Sequence, residues 1–394
     1  MRILITGYDG YEGWPLLQTL TRGGHAVLGI DTCARRSWVA QAGGDSVIPI
    51  ASERDRIECA GGEGAAILRG DVRHDMDSAI TMLGPEVVIH LAEQPSAPYS
   101  MLRDGHGPQF TAENNFGATV TLLDKLRQYA PDAHLIYVST MGVYGTPPIR
   151  IREGVWAPED AVEYRADGDT DNIGGLVTPR QPSSIYHISK VASGAAVDAA
   201  CRMWGLRCTT LYQGVVYGTD HPEGGKERIF NTRLDVDEAF GTVFNRFCAQ
   251  AALGIPMTIY GSGGQTRGMI SLWDAVSAMR DIALASPPEP GKQCHMNQIG
   301  EIASVRDMAT KVHQAANSGF DLSAPIECVE NPRVEAGEHE YHVDADNYRA
   351  AYPRDVMTLD DGVSDVLGRM MEYRGHLESL RDCIAPKTQW KGSA

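Results

Sequence analysis

The sequence predicts an α/β fold built on a doubly wound parallel sheet, and three observations carry that expectation. The first thirty residues read as strand, glycine-rich turn, helix and strand, which is a βαβ unit. The alternation then continues through two buried apolar runs, EVVIHL (86–91) and HLIYVS (134–139). Beyond Gly218 the pattern loosens, as expected of a smaller, mixed C-terminal domain. In order, RILIT (2–6) is the first strand, Trp14 to Arg22 a helix, and Ala26 to Ile30 a strand ending at Asp31. Ala66 to Leu68 leads to Gly70 and Asp71, and a helix precedes Pro85. Another helix is expected from about Asn115 to Tyr129, and one from Ser184 to Gly205 before a strand at Cys208 to Leu211. The long polar stretch from Pro147 to Ser184 is read as a functional connection, with a disordered surface insertion as the alternative. Residues 1–218, rejoined by 266–299, are expected to form the first domain, 219–265 with 300–385 the substrate domain, and 386–394 a polar tail.

With 35 basic against 51 acidic residues the net charge is −16, which disfavours nucleic acid and anionic membranes as partners. The eight cysteines are scattered without a C-x-x-C pair, and no apolar run approaches a membrane span. A reducing cytoplasm fits, with no leader ahead of the first strand. Twelve histidines show no metal-ligand spacing, so no metal is expected.

Gly7, Gly10 and Gly13 form a G-x-x-G-x-x-G turn between the first strand and its helix. Such a turn lets the backbone approach a pyrophosphate at a helix N-terminus, the mark of a Rossmann-type sheet. Asp31 ends the second strand, where a carboxylate accepts from a ribose 2′-hydroxyl and repels a 2′-phosphate, so NAD is favoured over NADP. Arg35 and Arg36 stand close by, and arginines there can hold a 2′-phosphate. Asp71 either bonds the adenine or caps the next helix. Asp9, Tyr11, Val72, Leu91 and Gln213 complete the expected cofactor contacts.

Tyr186 and Lys190 in YHISK stand four apart, on one face of a helix. A lysine ammonium near the phenol lowers its pKa and makes Tyr186 a base. Alone, such a pair is more often an ordinary amphipathic helix. Ser139 and Thr140 close the buried strand HLIYVS, where Thr140 can share a substrate proton with Tyr186. Together with the glycine loop, Asp31 and TMGVYG (140–145), this set resembles the extended short-chain dehydrogenases/reductases, which include the NAD-dependent sugar-nucleotide epimerases and dehydratases. Across the chain the likeness is greatest to UDP-sulfoquinovose synthases. It is carried by GYDGYEGW (7–14), PIASERDRI (49–57), EQPSAPYSM (93–101), TMGVYGTP (140–147), QGVVYGT (213–219), RLDVDEAFGTVFNRFCAQAALG (233–254), YGSGGQTRGMI (260–270) and NPRVEAGEHEYH (331–342). The resemblance implies a catalytic Thr140, Tyr186 and Lys190, and a UDP-hexose oxidised at C4 by tightly held NAD⁺. Two positions depart from it: Pro95 replaces an arginine, and Val143 replaces a glutamate, as in ordinary epimerases.

The resemblance also implies that Arg267 and Arg333 reach the substrate diphosphate, with Gln265 beside them. Arg233 and Asn245 are expected near the nucleotide or in a surface ion pair and loop, and Gln94 and Tyr99 near the sugar, with a backbone-bonding loop role open for Gln94. His339 and Glu338 are acid–base candidates, whereas His90 is read as packing. The 4-keto group acidifies C5–H, so the route ends in 5,6-elimination with sulfite addition, in 5,6-dehydration without it, or in 4-epimerisation. A non-catalytic NAD-binding regulator is the alternative of another class. Homodimerisation is a family expectation.

Overall fold

The computed structural model describes residues 1–102, 107–146, 150–154, 162–164, 170–172, 180–223, 227–331 and 338–384. Seven strands make the central sheet: β1 Arg2–Thr6, β2 Ala26–Asp31, β3 Ala66–Arg69, β4 Val87–His90, β5 His134–Thr140, β6 Arg207–Gln213 and β7 Gln293–Gln298. Their order is β3-β2-β1-β4-β5-β6-β7, and every neighbouring pair is parallel. The order reverses between β1 and β4, which opens a crevice outside the carboxyl ends.

Strand periodicity explains the two packed faces. Ile3 and Ile5 join Trp14, Leu17 and Leu20 on one side, while Leu4 between them joins Met76, Ile80 and Leu122 on the other. In β5, Ile136 and Val138 go to the first face, and Leu135 and Tyr137 to the second. Both faces are covered, so the strands read as continuous apolar runs.

A separate core gathers Phe244 and Phe247 of the helix Val243–Leu253, Met308 and Val312 of Val305–Phe320, and Val363, Val366 and Met370 of Leu359–Glu372. The last three are spaced at helical intervals, and Thr358 and Asp361 close a capping box ahead of them. The strand Gly264–Ser271 runs antiparallel to Glu301–Ser304 and parallel to Val215–Tyr217 and Glu338–His339. Met257–Tyr260 pairs in parallel with Ile326–Val329.

One helix departs from expectation. It spans Gly107–Tyr129 instead of starting at Asn115, because Pro108, which reads as a breaker, sits in the first turn where its missing N–H costs nothing. Most of the Pro147–Ser184 stretch and the tail lie outside the described residues. Its short segments Val162–Tyr164 and Thr170–Asn172 pair antiparallel. Among the described residues no helix is long and apolar enough to cross a membrane.

Candidate active site

A cavity of about 620 Å³ runs along the carboxyl ends of the sheet. Its floor on the β1 side is main chain. Gly7 adopts φ +83°, and a Cβ there would lie 2.7 Å from the Leu91 carbonyl carbon. A Cβ on Gly13 would lie 2.1 Å from the Gly7 oxygen, so only glycine permits the crossing. Gly10, Tyr11, Val72 and Leu91 also line this part.

Asp31 lines the cavity and accepts from the Asp9 N–H (2.9 Å) and the Cys33 N–H (2.7 Å). Burial raises its pKa to about 6, and the neighbouring Asp9 charge adds to the rise. Asp9 itself faces away from the cavity. It is buried between the Arg36 and Arg56 guanidinium groups, at 2.7 and 2.6 Å, and serves to anchor the turn. Arg36 therefore turns off the cavity as well. Arg35 remains on the cavity wall, but Asp235 holds its fork at 2.7 and 3.1 Å over the Phe240 ring. Both arginines are thus neutralised by carboxylates rather than aimed at a 2′-phosphate. Asp71 lines the cavity while capping its helix, accepting from the Arg73 N–H at 2.8 Å. A glycine cradle, a ribose-facing carboxylate and neutralised arginines fit NAD. Gly7, Gly10, Gly13, Asp31, Lys190 and Gln213 would hold it.

Tyr186 and Lys190 project into the cavity from the helix Ile185–Trp204, whose N-terminus is capped by Ser184 accepting from the His187 N–H. Thr140, at the end of β5, faces Tyr186 and accepts from the Gly142 N–H at 3.1 Å. The three residues therefore meet in one place. The expected lowering of the Tyr186 pKa is not realised here. Burial raises the phenol, and hydrogen bonding to Thr140 only partly opposes that. The Lys190 ammonium is engaged elsewhere: it donates to the Val138 carbonyl at 2.7 Å and forms an ion pair with Glu93. Burial lowers Lys190 to about 7, and the Glu12 carboxylate pushes it back up. His90 is buried against Thr6 and Tyr137, and burial holds it neutral by lowering it to about 3.

On the opposite wall Gln265 and Arg267 line the cavity. His339 sits behind Arg267, 3.0 Å from its Nη1, and so orients that guanidinium instead of facing the cavity. Arg333 and the Glu338 side chain lie outside the described residues. Several expected contacts fall short of the cavity. Arg233 is buried in a bidentate pair with Asp235. Asn245 turns its Oδ1 to the Gly218 N–H at 3.0 Å. Gln94 folds onto Ser96, donating to its carbonyl and accepting from its N–H, because the loop after β4 leaves those groups otherwise unmatched. Tyr99 packs its ring against Phe240 and Trp38 instead of facing a sugar. Pro95 lines the cavity, whereas Val143 is buried beneath it.

Four acidic, basic or histidine lining residues were not anticipated from the sequence: Glu12, Glu93, His187 and Arg246. Arg246 is 5% exposed, and its Nε has no hydrogen-bond partner among the described residues. Glu12 and His187 sit inside the glycine loop and YHISK, so position within a motif was their available signal. Among the described residues no group of three or more His, Cys, Asp or Glu is placed to hold a metal.

A seven-stranded parallel sheet with this glycine turn, Asp31 and a Thr–Tyr–Lys set defines an extended short-chain dehydrogenase/reductase. The model of the NAD dependent epimerase/dehydratase family matches residues 3–297, and the chain belongs to that family. It is 36% identical to UDP-sulfoquinovose synthase of Sulfolobus acidocaldarius over 398 residues, which covers 99% of this chain and 98% of the other. To the chloroplastic UDP-sulfoquinovose synthase of Spinacia oleracea it is also 36% identical, over 99% of this chain and 79% of that one. The fold matches UDP-glucuronic acid 4-epimerase from Bacillus cereus, solved with UDP-glucuronic acid and NAD, at a TM-score of 0.68 and 20% identity over 94% of this chain and 99% of that chain. NAD is the cofactor of this family.

Proposed function

We propose that this enzyme carries a UDP-hexose of the UDP-glucose type through a 4-keto intermediate and adds sulfite at C6, in the manner of a UDP-sulfoquinovose synthase. The observation that carries this reading is the 36% identity along 99% of the chain, in a protein whose Thr140, Tyr186 and Lys190 share one cavity. Residues 1–218 with 266–299 hold NAD and carry Thr140, Tyr186 and Arg267 to the substrate, and 219–265 with 300–385 supply the rest of the sugar-nucleotide wall. Although burial raises the phenol, Tyr186 is the group placed to take the C4 hydroxyl proton, which it does in its ionised form, while Thr140 fixes that hydroxyl by hydrogen bonding. NAD⁺ held by the glycine turn, Asp31 and Lys190 would supply a reversible hydride acceptor for C4. Lys190, held by Glu93 and the Val138 carbonyl with its ammonium 5.9 Å from the Tyr186 ring centre, sets the charge around the phenol and would give its third N–H to the cofactor ribose. The 4-keto group acidifies C5–H, so loss of that proton and of the 6-hydroxyl as water leaves a 4-keto-5-ene. Sulfite adds to C6, C5 regains a proton, and C4 is reduced as Tyr186 returns its proton. Arg246 and Arg267 bind the diphosphate, for which a guanidinium fork is suited.

Pro95 and Val143 favour a second reading, 4-epimerisation or dehydration without sulfonation, because Pro95 puts no cation on the cavity wall and Val143 puts no carboxylate beneath it. Incubation with UDP-glucose in D₂O, with and without sulfite, separates the readings. Deuterium at C5 and a sulfonate mass only with sulfite is the expected result. An isomer without deuterium makes the enzyme a 4-epimerase. The proposed assembly is a cytoplasmic homodimer, supported by Phe116 and Ile188, which are 41% and 49% exposed on adjacent helices.

A further inference from the structure

Glu12 is the one charged side chain of the glycine loop that faces the catalytic set. It stands at the N-terminus of the helix Gly13–Arg22, where a carboxylate ordinarily caps the free N–H groups. Here it makes no cap. The side chain instead turns into the cavity and accepts from Gln213 Nε2 at 2.6 Å. Gln213 closes β6, four strand steps from Asp31 on β2, or about 19 Å at the usual strand spacing. A dinucleotide laid along this crevice with its adenosine ribose at Asp31 has its nicotinamide at the β5–β6 end. Glu12 therefore lies at the nicotinamide end.

The charges there do not cancel. Lys190 is the nearby cation, and Glu93 is already ion-paired with it. Glu12 is the second carboxylate acting on that one ammonium, and the cluster carries an excess negative charge when both are ionised. Burial raises Glu12 to about 7, and Lys190 and Gln213 oppose the rise, so the carboxylate is poised to respond to a further positive charge beside it.

We propose that Glu12 selects the oxidation state of the cofactor, favouring the positively charged nicotinamide ring of NAD⁺ over the neutral ring of NADH. The excess negative charge is balanced by the oxidised ring and left unbalanced by the reduced one. An enzyme whose cycle must end with NAD⁺ in place gains from that bias, since the reduced state is disfavoured until the substrate takes the hydrogen back. This rests on NAD occupying the crevice and not on which sugar is used.

The test is the ratio of dissociation constants for NAD⁺ and NADH, measured by calorimetry on the full chain freed of cofactor. The wild-type protein is expected to hold NAD⁺ about tenfold more tightly than NADH, from one unit charge interacting across a few ångströms of protein. Glu12→Gln, which keeps the shape and an acceptor for Gln213, is expected to bring the ratio to near one, and Glu12→Asp to restore most of it. Equal wild-type affinities for NAD⁺ and NADH would overturn the proposal without any variant. So would an unchanged ratio in Glu12→Gln, which would leave Glu12 as a tie between loop and strand. Absence of binding by either form would instead sink the cofactor assignment itself.

Discussion

Lys190 shows how far a motif can be read and where reading stops. Its spacing from Tyr186 is visible in YHISK, but its partners, Glu93 and the Val138 carbonyl, come from two other strand ends. No local pattern announces such a meeting. The same holds for Arg35 and Arg36, which stand side by side in sequence and part company in space, one to Asp235 and the other to Asp9. Arg246 was hidden for a different reason, lying inside a helix whose neighbours are all buried. Two predictions belong at this scale. Tyr186→Phe is expected to lower kcat by about 10²–10⁴-fold with NAD content unchanged, checked by turnover of the nucleotide sugar and absorbance of the purified protein. Arg246→Leu is expected to raise KM about tenfold with kcat retained, since a contact made equally in ground and transition states affects binding alone; a kcat loss with constant KM would contradict the diphosphate role.

Elements were more legible than contacts, because strand and helix periods differ and both faces of this sheet are covered. The βαβ alternation places β1 to β6, while Pro108 concealed the first two turns of its helix. The glycines separate into two physical kinds. At Gly13 a methyl group would meet the Gly7 carbonyl, so Gly13→Ala is expected to cost about 1–3 kcal/mol by urea titration and to abolish NAD retention. At Gly194, inside the helix Ile185–Trp204, a Cβ meets nothing within 4 Å. Gly194→Ala is expected to stabilise by about 0.5–1 kcal/mol with activity intact, since alanine loses less backbone freedom in a helix.

For the whole molecule, buried histidines pull stability down toward acid, against Glu12 and Asp31, whose raised pKa values favour the native state over the same range. His134, His221 and His295 are each lowered from 6.5 to about 4, chiefly by burial, and His90 to about 3. The unfolded chain binds these protons near pH 6.5 and the native one does not, so the histidines cost nothing above that pH and progressively more toward pH 4. Between pH 7 and 4.5 the stability of His134→Gln is expected to change less toward the unfolded state than that of the wild type, by roughly 1–3 kcal/mol for that site, read from urea midpoints. The molecule also divides by what its cavity walls are made of. Around Gly7 and Gly13 the wall is main chain packed on main chain, with no side chain to exchange. Around Pro95, Gln265, Arg246 and Arg267 the lining residues carry side chains that can be exchanged. Point mutation can therefore reshape what enters from the second wall while leaving the first as it is. Over generations, a lineage with this architecture is free to change its sugar one substitution at a time, while the turn that receives a pyrophosphate stays as it is.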